Sequence, residues 1–196
     1  MRMQSNRNKL LASALVVGVL GGLVALGVSG AFTATTQNAG NEIRTGTVAL
    51  TDNDAGTAMF NVDNAKPGDT FTRCIKVSYG GSLPADVRLY TQTTPAPIMA
   101  YMNIKVESGT QATSSFPSCT GFTAGETVYN GPFTGVTFVD YATGLHTNPA
   151  SQDHWNQSDT LVYQVTVSLS SAMPDSIQNA TTGNVTVVWE AHDHEG

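Results

Sequence analysis

Histidine is scarce in this chain, and two of its four copies stand two residues apart, in His192-Asp193-His194; the others are His146 and His154. On an extended strand such a pair shares a face, which would let both imidazoles ligate one zinc ion. A solvated tail accounts for the same residues without any ion. A second set, Asp52-Asn53-Asp54, offers the oxygens that calcium prefers. It lacks the spaced ligands and closing glutamate of an EF-hand, and Asp-Asn-Asp-Ala-Gly serves equally well as a turn. His192, His194, Asp52 and Asp54 are therefore the metal candidates, and the sequence requires no cofactor. There is no His-Glu-x-x-His segment, which would put two zinc ligands and a general base on one helix face, and no Gly-x-Ser-x-Gly nucleophile elbow. No catalytic residue is assigned, and the expectation is a protein that is not an enzyme.

The remaining reactive side chains are Cys74 and Cys119. In an oxidising compartment an even cysteine count reads as a disulfide framework. A bridge between the two would close a loop of about 45 residues and stabilise the fold by about 4 kcal/mol on the chain-entropy account. A nucleophilic or metal-binding thiol would need a partner held beside it, and nothing nearby in sequence supplies one.

The compartment follows from the N-terminal residues. Arg2, Arg7 and Lys9 precede an uncharged apolar run, Leu10 to Val28, which ends at Ser29-Gly30-Ala31-Phe32. The run approaches the roughly 20 residues that an α-helix needs to span a bilayer. A basic opening, an apolar centre and small residues at the end also make a secretory signal peptide, with Val28 and Gly30 at minus three and minus one and cleavage between Gly30 and Ala31. Either way the rest of the chain is expected outside the cytoplasm, touching the membrane only through an uncleaved N-terminal segment. The expected organisation is a signal peptide over residues 1–30 with its apolar helix at 10–28, an N-terminal strand or arm at 31–43, and one β-sandwich domain over 44–196. Nucleic acid is not an expected partner, because the net charge is −6 and only nine of the 196 residues are Lys or Arg.

The polar composition, rich in Thr, Ser, Asn and Gly, suits strands and turns. Short β-forming runs appear at Thr47 to Leu50, Ala58 to Val62, Phe71 to Ser78, Val87 to Thr91, Tyr101 to Glu107, Glu126 to Tyr129 and Val136 to Asp140. Turn sequences such as Lys66-Pro67-Gly68-Asp69 separate them. Two segments alternate more cleanly, Thr160 to Leu169 and Asn184 to His192. The first puts Leu161, Tyr163, Val165, Val167 and Leu169 on one face. Pro174 limits Ala172 to Gln178 to a turn or two of helix. Trp155, Trp189, Tyr163 and Phe138 are read as core, in preference to a carbohydrate platform. The sequons at Asn156, Asn179 and Asn184 would matter only in a eukaryotic secretory path. The expected fold class is all-β, a jelly-roll-like antiparallel sandwich.

Several stretches, taken in order, carry a resemblance. Gly30-Ala31-Phe32-Thr33, then Thr35 to Asn41 and Thr45 to Leu50, are followed by Asn64 to Asp69, Tyr101 to Glu107 and the ending from Gln178-Asn179 through Val185 to Ala191. This order resembles the TasA and camelysin family of exported bacterial proteins, whose mature chains begin at an Ala-Phe or similar pair. The cysteine pair and Phe116 to Gly121 depart from the best-known members. The resemblance implies a secreted, cell-surface or extracellular location and a jelly-roll subunit of biofilm fibres. It also implies self as the main partner and signal peptidase as the processing one. In such fibres the N-terminal strand of one subunit completes the sheet of the next. Here Ala31, Phe32, Thr33, Thr35 and Ile43 would be the donor residues, with Phe32 and Ile43 as anchors. A loose tail or an ordinary first strand is the alternative for the same segment. The resemblance also brings a metallopeptidase label, which no zinc-protease motif in this chain supports. N-terminal sequencing of the secreted protein tests the junction and is expected to return Ala31; Met1 would show an uncleaved anchor.

Overall fold

Residues 45–195 are described by a computed structural model, and within them the chain forms β1 (Leu50–Asp52), β2 (Thr70–Tyr79), β3 (Ala85–Thr93), β4 (Met102–Gln111), β5 (Phe122–Pro132), β6 (Leu145–His146), β7 (Thr160–Leu169) and β8 (Val185–Asp193). Two antiparallel sheets result, one ordered β1-β2-β7-β4-β5 and the other β6-β3-β8. No helix among the described residues is long and apolar enough to cross a membrane.

The sheets meet through the faces that alternation selects. Ile75, Val77 and Tyr79 of β2 and Leu161, Tyr163 and Val165 of β7 are buried in one core with Ala85, Val87 and Leu89 of β3. Each large apolar side chain removed from water there contributes about 1.5–3 kcal/mol. Trp155 and Tyr163 are fully buried, and Phe138 is nearly so, as expected of core aromatics. Trp155 is held at three points. Its backbone exchanges hydrogen bonds with Ala85, at 2.8 and 2.9 Å, and its indole N–H donates to the Thr147 carbonyl.

Turn chemistry holds where residue type and backbone agree. In Lys66-Pro67-Gly68-Asp69, the Asp69 N–H donates to the Lys66 carbonyl at 3.0 Å, and Gly68 sits at φ +88°. Proline followed by glycine at positive φ is the type II arrangement. A third expected strand, Thr47 to Leu50, is displaced to β1 at Leu50–Asp52, and two expected strands do not form. Val136 to Asp140 makes a single backbone contact with β3, Thr91 N–H to the Phe138 carbonyl at 3.0 Å, and otherwise anchors through the buried Phe138. Ala58 to Val62 has no ladder, although Met59 and Phe60 lean on the core. A β-forming run becomes a strand only when a neighbouring edge supplies hydrogen bonds, and propensity cannot report that edge. Conversely β6, with only two residues, is too short for periodicity to detect.

Cys74 and Cys119 form a disulfide across a Cα–Cα distance of 5.1 Å. The Cys74 N–H also donates to the Pro117 carbonyl at 3.0 Å, so the loop between β4 and β5 is fastened to the outer edge of β2. Replacing both cysteines, Cys74→Ala with Cys119→Ala, is expected to lower unfolding free energy by about 4 kcal/mol. Urea denaturation beside the oxidised parent would read this as a fall in midpoint; an unchanged midpoint would show that the bridge does not constrain the unfolded chain.

Candidate functional site

Sheet edges are the sites a β-sandwich offers to another chain, and the edges here are unequal. Strand β1 has three residues. Beyond it, outward N–H groups of β2 are taken, Cys74 by the Pro117 carbonyl and Lys76 by Asn53 Oδ1 at 2.8 Å. The β4–β5 register shifts twice along the opposite edge strand, and bulges of this kind blunt pairing. Strand β6 has two residues. Strand β8 has nine, Val-Thr-Val-Val-Trp-Glu-Ala-His-Asp, with no Pro or Lys and an unbroken register against β3.

The direction of its free groups can be worked out. Ala85 bonds Trp155, Val87 accepts from the Thr147 N–H and Thr91 donates to Phe138, so alternate residues of β3 point away from β8. The residues between them bond β8 through pairs such as Asp86 with His192 and Tyr90 with Val188. Val185, Val187, Trp189, Ala191 and Asp193 therefore direct their backbone N–H and C=O outward, and β8 has no second strand partner among the described residues. Beside this edge lies a groove lined by Leu50, Asp52 and Val77 on one wall and Val187, Val188 and Trp189 on the other. Trp189 packs its ring 5.2 Å from Tyr163. The Trp189 indole N–H and the Tyr163 hydroxyl are both buried and lie within reach of one another. Burial pushes the Tyr163 phenol well above its ordinary range, so it stays neutral.

The outer face of the same sheet carries a closed polar network. Tyr90 donates to Glu190 Oε2 at 2.6 Å, and His192 Nε2 meets Glu190 Oε1 at 2.8 Å. Tyr141 stacks on His192 with centroids 3.7 Å apart, and the Arg88 guanidinium lies 4.8 Å from the Tyr141 ring centre. The hydrogen bond from Tyr90, followed by that with His192, holds the Glu190 carboxyl below its usual range.

The metal candidates separate. His192 belongs to the Glu190 network, whereas His194, just past β8, hydrogen-bonds Asp86 through Nδ1 at 3.0 and 3.1 Å and stacks on His154. Alternation placed His192 and His194 together; the tertiary structure instead brings His194 to His154 and Asp153. Sequence had no signal for that grouping, because its members lie about forty residues apart. Asp52 and Asp54 act in the turn: Asp52 Oδ1 accepts from the Asp54 N–H at 3.1 Å and Asp54 Oδ1 from the Gly56 N–H at 2.6 Å. Burial and the neighbouring Asp54 together raise the Asp52 pKa, against a backbone hydrogen bond that lowers it. The expected cleavage residues Gly30 and Ala31 and donor residues Phe32, Thr33, Thr35 and Ile43 lie outside the described residues.

Comparison with known proteins identifies one family model, described as camelysin metallo-endopeptidase, which matches residues 6–100. No curated protein matches the chain.

Because the Glu190 pKa is depressed in the folded state, its contribution to stability is complete above the ordinary value of 4.5 and is lost as pH falls through the lower folded value. Glu190→Gln is expected to flatten the fall in urea midpoint between neutral pH and about pH 3 relative to the parent. Equal slopes for the two proteins would show that the network does not couple to protonation.

Proposed function

We propose that this chain, whose residues 6–100 match the camelysin family model, is a secreted structural subunit of an extracellular matrix or biofilm fibre, joined head to tail by donor-strand exchange. The observation that carries this is the contrast among edges: three are short or bulged, while β8 offers nine regular residues beside an apolar groove. An unprotected edge of this length is a template for another strand. An extended segment laid along it gains hydrogen bonds from the outward groups of Val185 to Asp193, each contributing about 1 kcal/mol net, with alternate side chains conferring specificity.

The segment proposed to arrive is residues 31–43 of a second copy. Its Thr33, Thr35 and Thr36 suit a strand, and Phe32 and Ile43 supply apolar anchors for a groove lined by Val77, Val187 and Trp189. Because donor and acceptor are different surfaces, the contact does not close on itself, and such contacts propagate into filaments. Cleavage after Gly30 would free the donor strand and act as the assembly switch. Secretion at a bacterial cell surface, with signal peptidase as the processing partner, completes this proposal.

The family's description supports a second function, a cell-surface metallopeptidase, and a monomeric adhesion domain is the third. One set of preparations separates them: a form beginning at Ala31, a form beginning at Thr45, and the longer form carrying Val187→Pro. Electron microscopy should show fibres from the first alone, because proline removes an outward donor while leaving the β3 ladder in place. A longer form that stays monomeric when concentrated, or a shorter form that polymerises equally well, would overturn donor-strand exchange. Chelator-sensitive proteolysis by the pure protein would establish the peptidase in its place.

A further inference from the structure

Three segments distant in sequence converge at the end of the smaller sheet. Ala85 and Asp86 open β3, Trp155 exchanges backbone hydrogen bonds with Ala85, and the His194 N–H donates to the Pro84 carbonyl at 2.9 Å. These contacts bring Asp153, His154 and His194 together, with one potential ligand atom from each lying within 4.8 Å of the others. We propose that Asp153, His154 and His194 bind a divalent transition-metal ion of the zinc class, with Asp86 positioning His194.

The donor set has the right chemistry. Two imidazoles and a carboxylate suit zinc and its first-row neighbours better than calcium, which takes oxygens. Ligands about 2.0–2.2 Å from zinc stand roughly 3.3–3.6 Å apart in a tetrahedron, so modest adjustments suffice: the Asp153–His154 contact, at 2.6 Å, opens, and separations of up to 4.8 Å close. His194 is already oriented. Its Nδ1 faces both carboxylate oxygens of Asp86, which leaves Nε2 as the ligand atom. A carboxylate behind a histidine in this way fixes the tautomer and raises the basicity of the coordinating nitrogen.

His154 brings the second imidazole to the same place. Its Nδ1 pairs with Asp153 Oδ1 at 2.6 Å, and its ring stacks on that of His194 with centroids 4.8 Å apart. An ion would take the place of the proton that the two share, the nitrogen and oxygen parting to ligand spacing. Asp153 is mostly exposed, whereas His154 and His194 are each about seven-tenths covered, which gives an ion an entry side. The residues thus fit the kind of ion that a metallopeptidase label implies. Its role here would be to tie the last residues of β8 to the loop carrying Trp155. This site is independent of the fibre proposal, since no part of it contacts the donor segment in that account.

The test uses the full chain in detergent micelles, titrated with Co²⁺ and then Zn²⁺. One equivalent of Co²⁺ should bind and give visible d–d absorption, which Zn²⁺ should abolish by competition. His154→Ala and His194→Ala should each weaken binding by about 100-fold, and Asp86→Asn by roughly 10–100-fold. His192→Ala and His146→Ala should leave it unchanged. Circular dichroism reports whether each variant folds. In the unmodified protein, Co²⁺ should broaden the imidazole proton resonances of His154 and His194 ahead of those of His146 and His192, a readout that needs no variant. Absence of stoichiometric binding, binding that survives loss of both His154 and His194, or broadening centred on His192 would overturn the assignment.

Discussion

The exchange of hydrogen bonds between Trp155 and Ala85 is the contact on which most of the structure depends. It is a bridge outside any strand, yet it docks a long loop onto the first residue of β3 with both partners fully buried. The indole then fills the space between the sheets and donates to Thr147, whose own N–H bonds Val87. A large aromatic with a satisfied polar end contributes burial without leaving an orphaned donor. From this one residue follow the position of Thr147 beside β3 and that of His154 beside His194.

The edges of the sandwich tell a second story about constraint. A sheet that exposes regular, unpaired backbone invites association, and sequences ordinarily prevent it by shortening, bulging or covering the edge. This chain does so at β1, β5 and β6, and along β2 it spends a disulfide-fastened loop and the Asn53 side chain. Strand β8 has none of these devices among the described residues. Its core-facing side chains, Val187 and Trp189, border the groove that its outward backbone overlooks, so one surface combines directional and apolar attraction. The outer face is different in kind. There the Tyr90, Glu190, His192 and Tyr141 contacts satisfy one another and leave little chemistry free.

The fold class, the strands β2, β3, β7 and β8, and the turn at Lys66 to Asp69 were legible because each depends on local information. Period-2 alternation selects a buried face, and proline followed by glycine selects a turn type. The disulfide was legible from cysteine parity together with the compartment that the N-terminal residues lead one to expect. By contrast, Val136 to Asp140 and Ala58 to Val62 have strand-forming residues but no ladder, since pairing is a property of the neighbour. The same distinction applies to the metal candidates. Spacing along one strand joined His192 to His194, while register sent one to Glu190 and the other past the strand end to Asp86.

By itself, then, the sequence determined an all-β chain, its principal strands, its disulfide partners and the absence of the common hydrolase motifs, because those rest on residue type and short spacing. Tertiary structure alone decided which edge stays open and which histidines meet. Both depend on contacts between residues far apart in the chain, and they are set when Trp155 docks on Ala85 and β8 pairs with β3 without a second neighbour among the described residues.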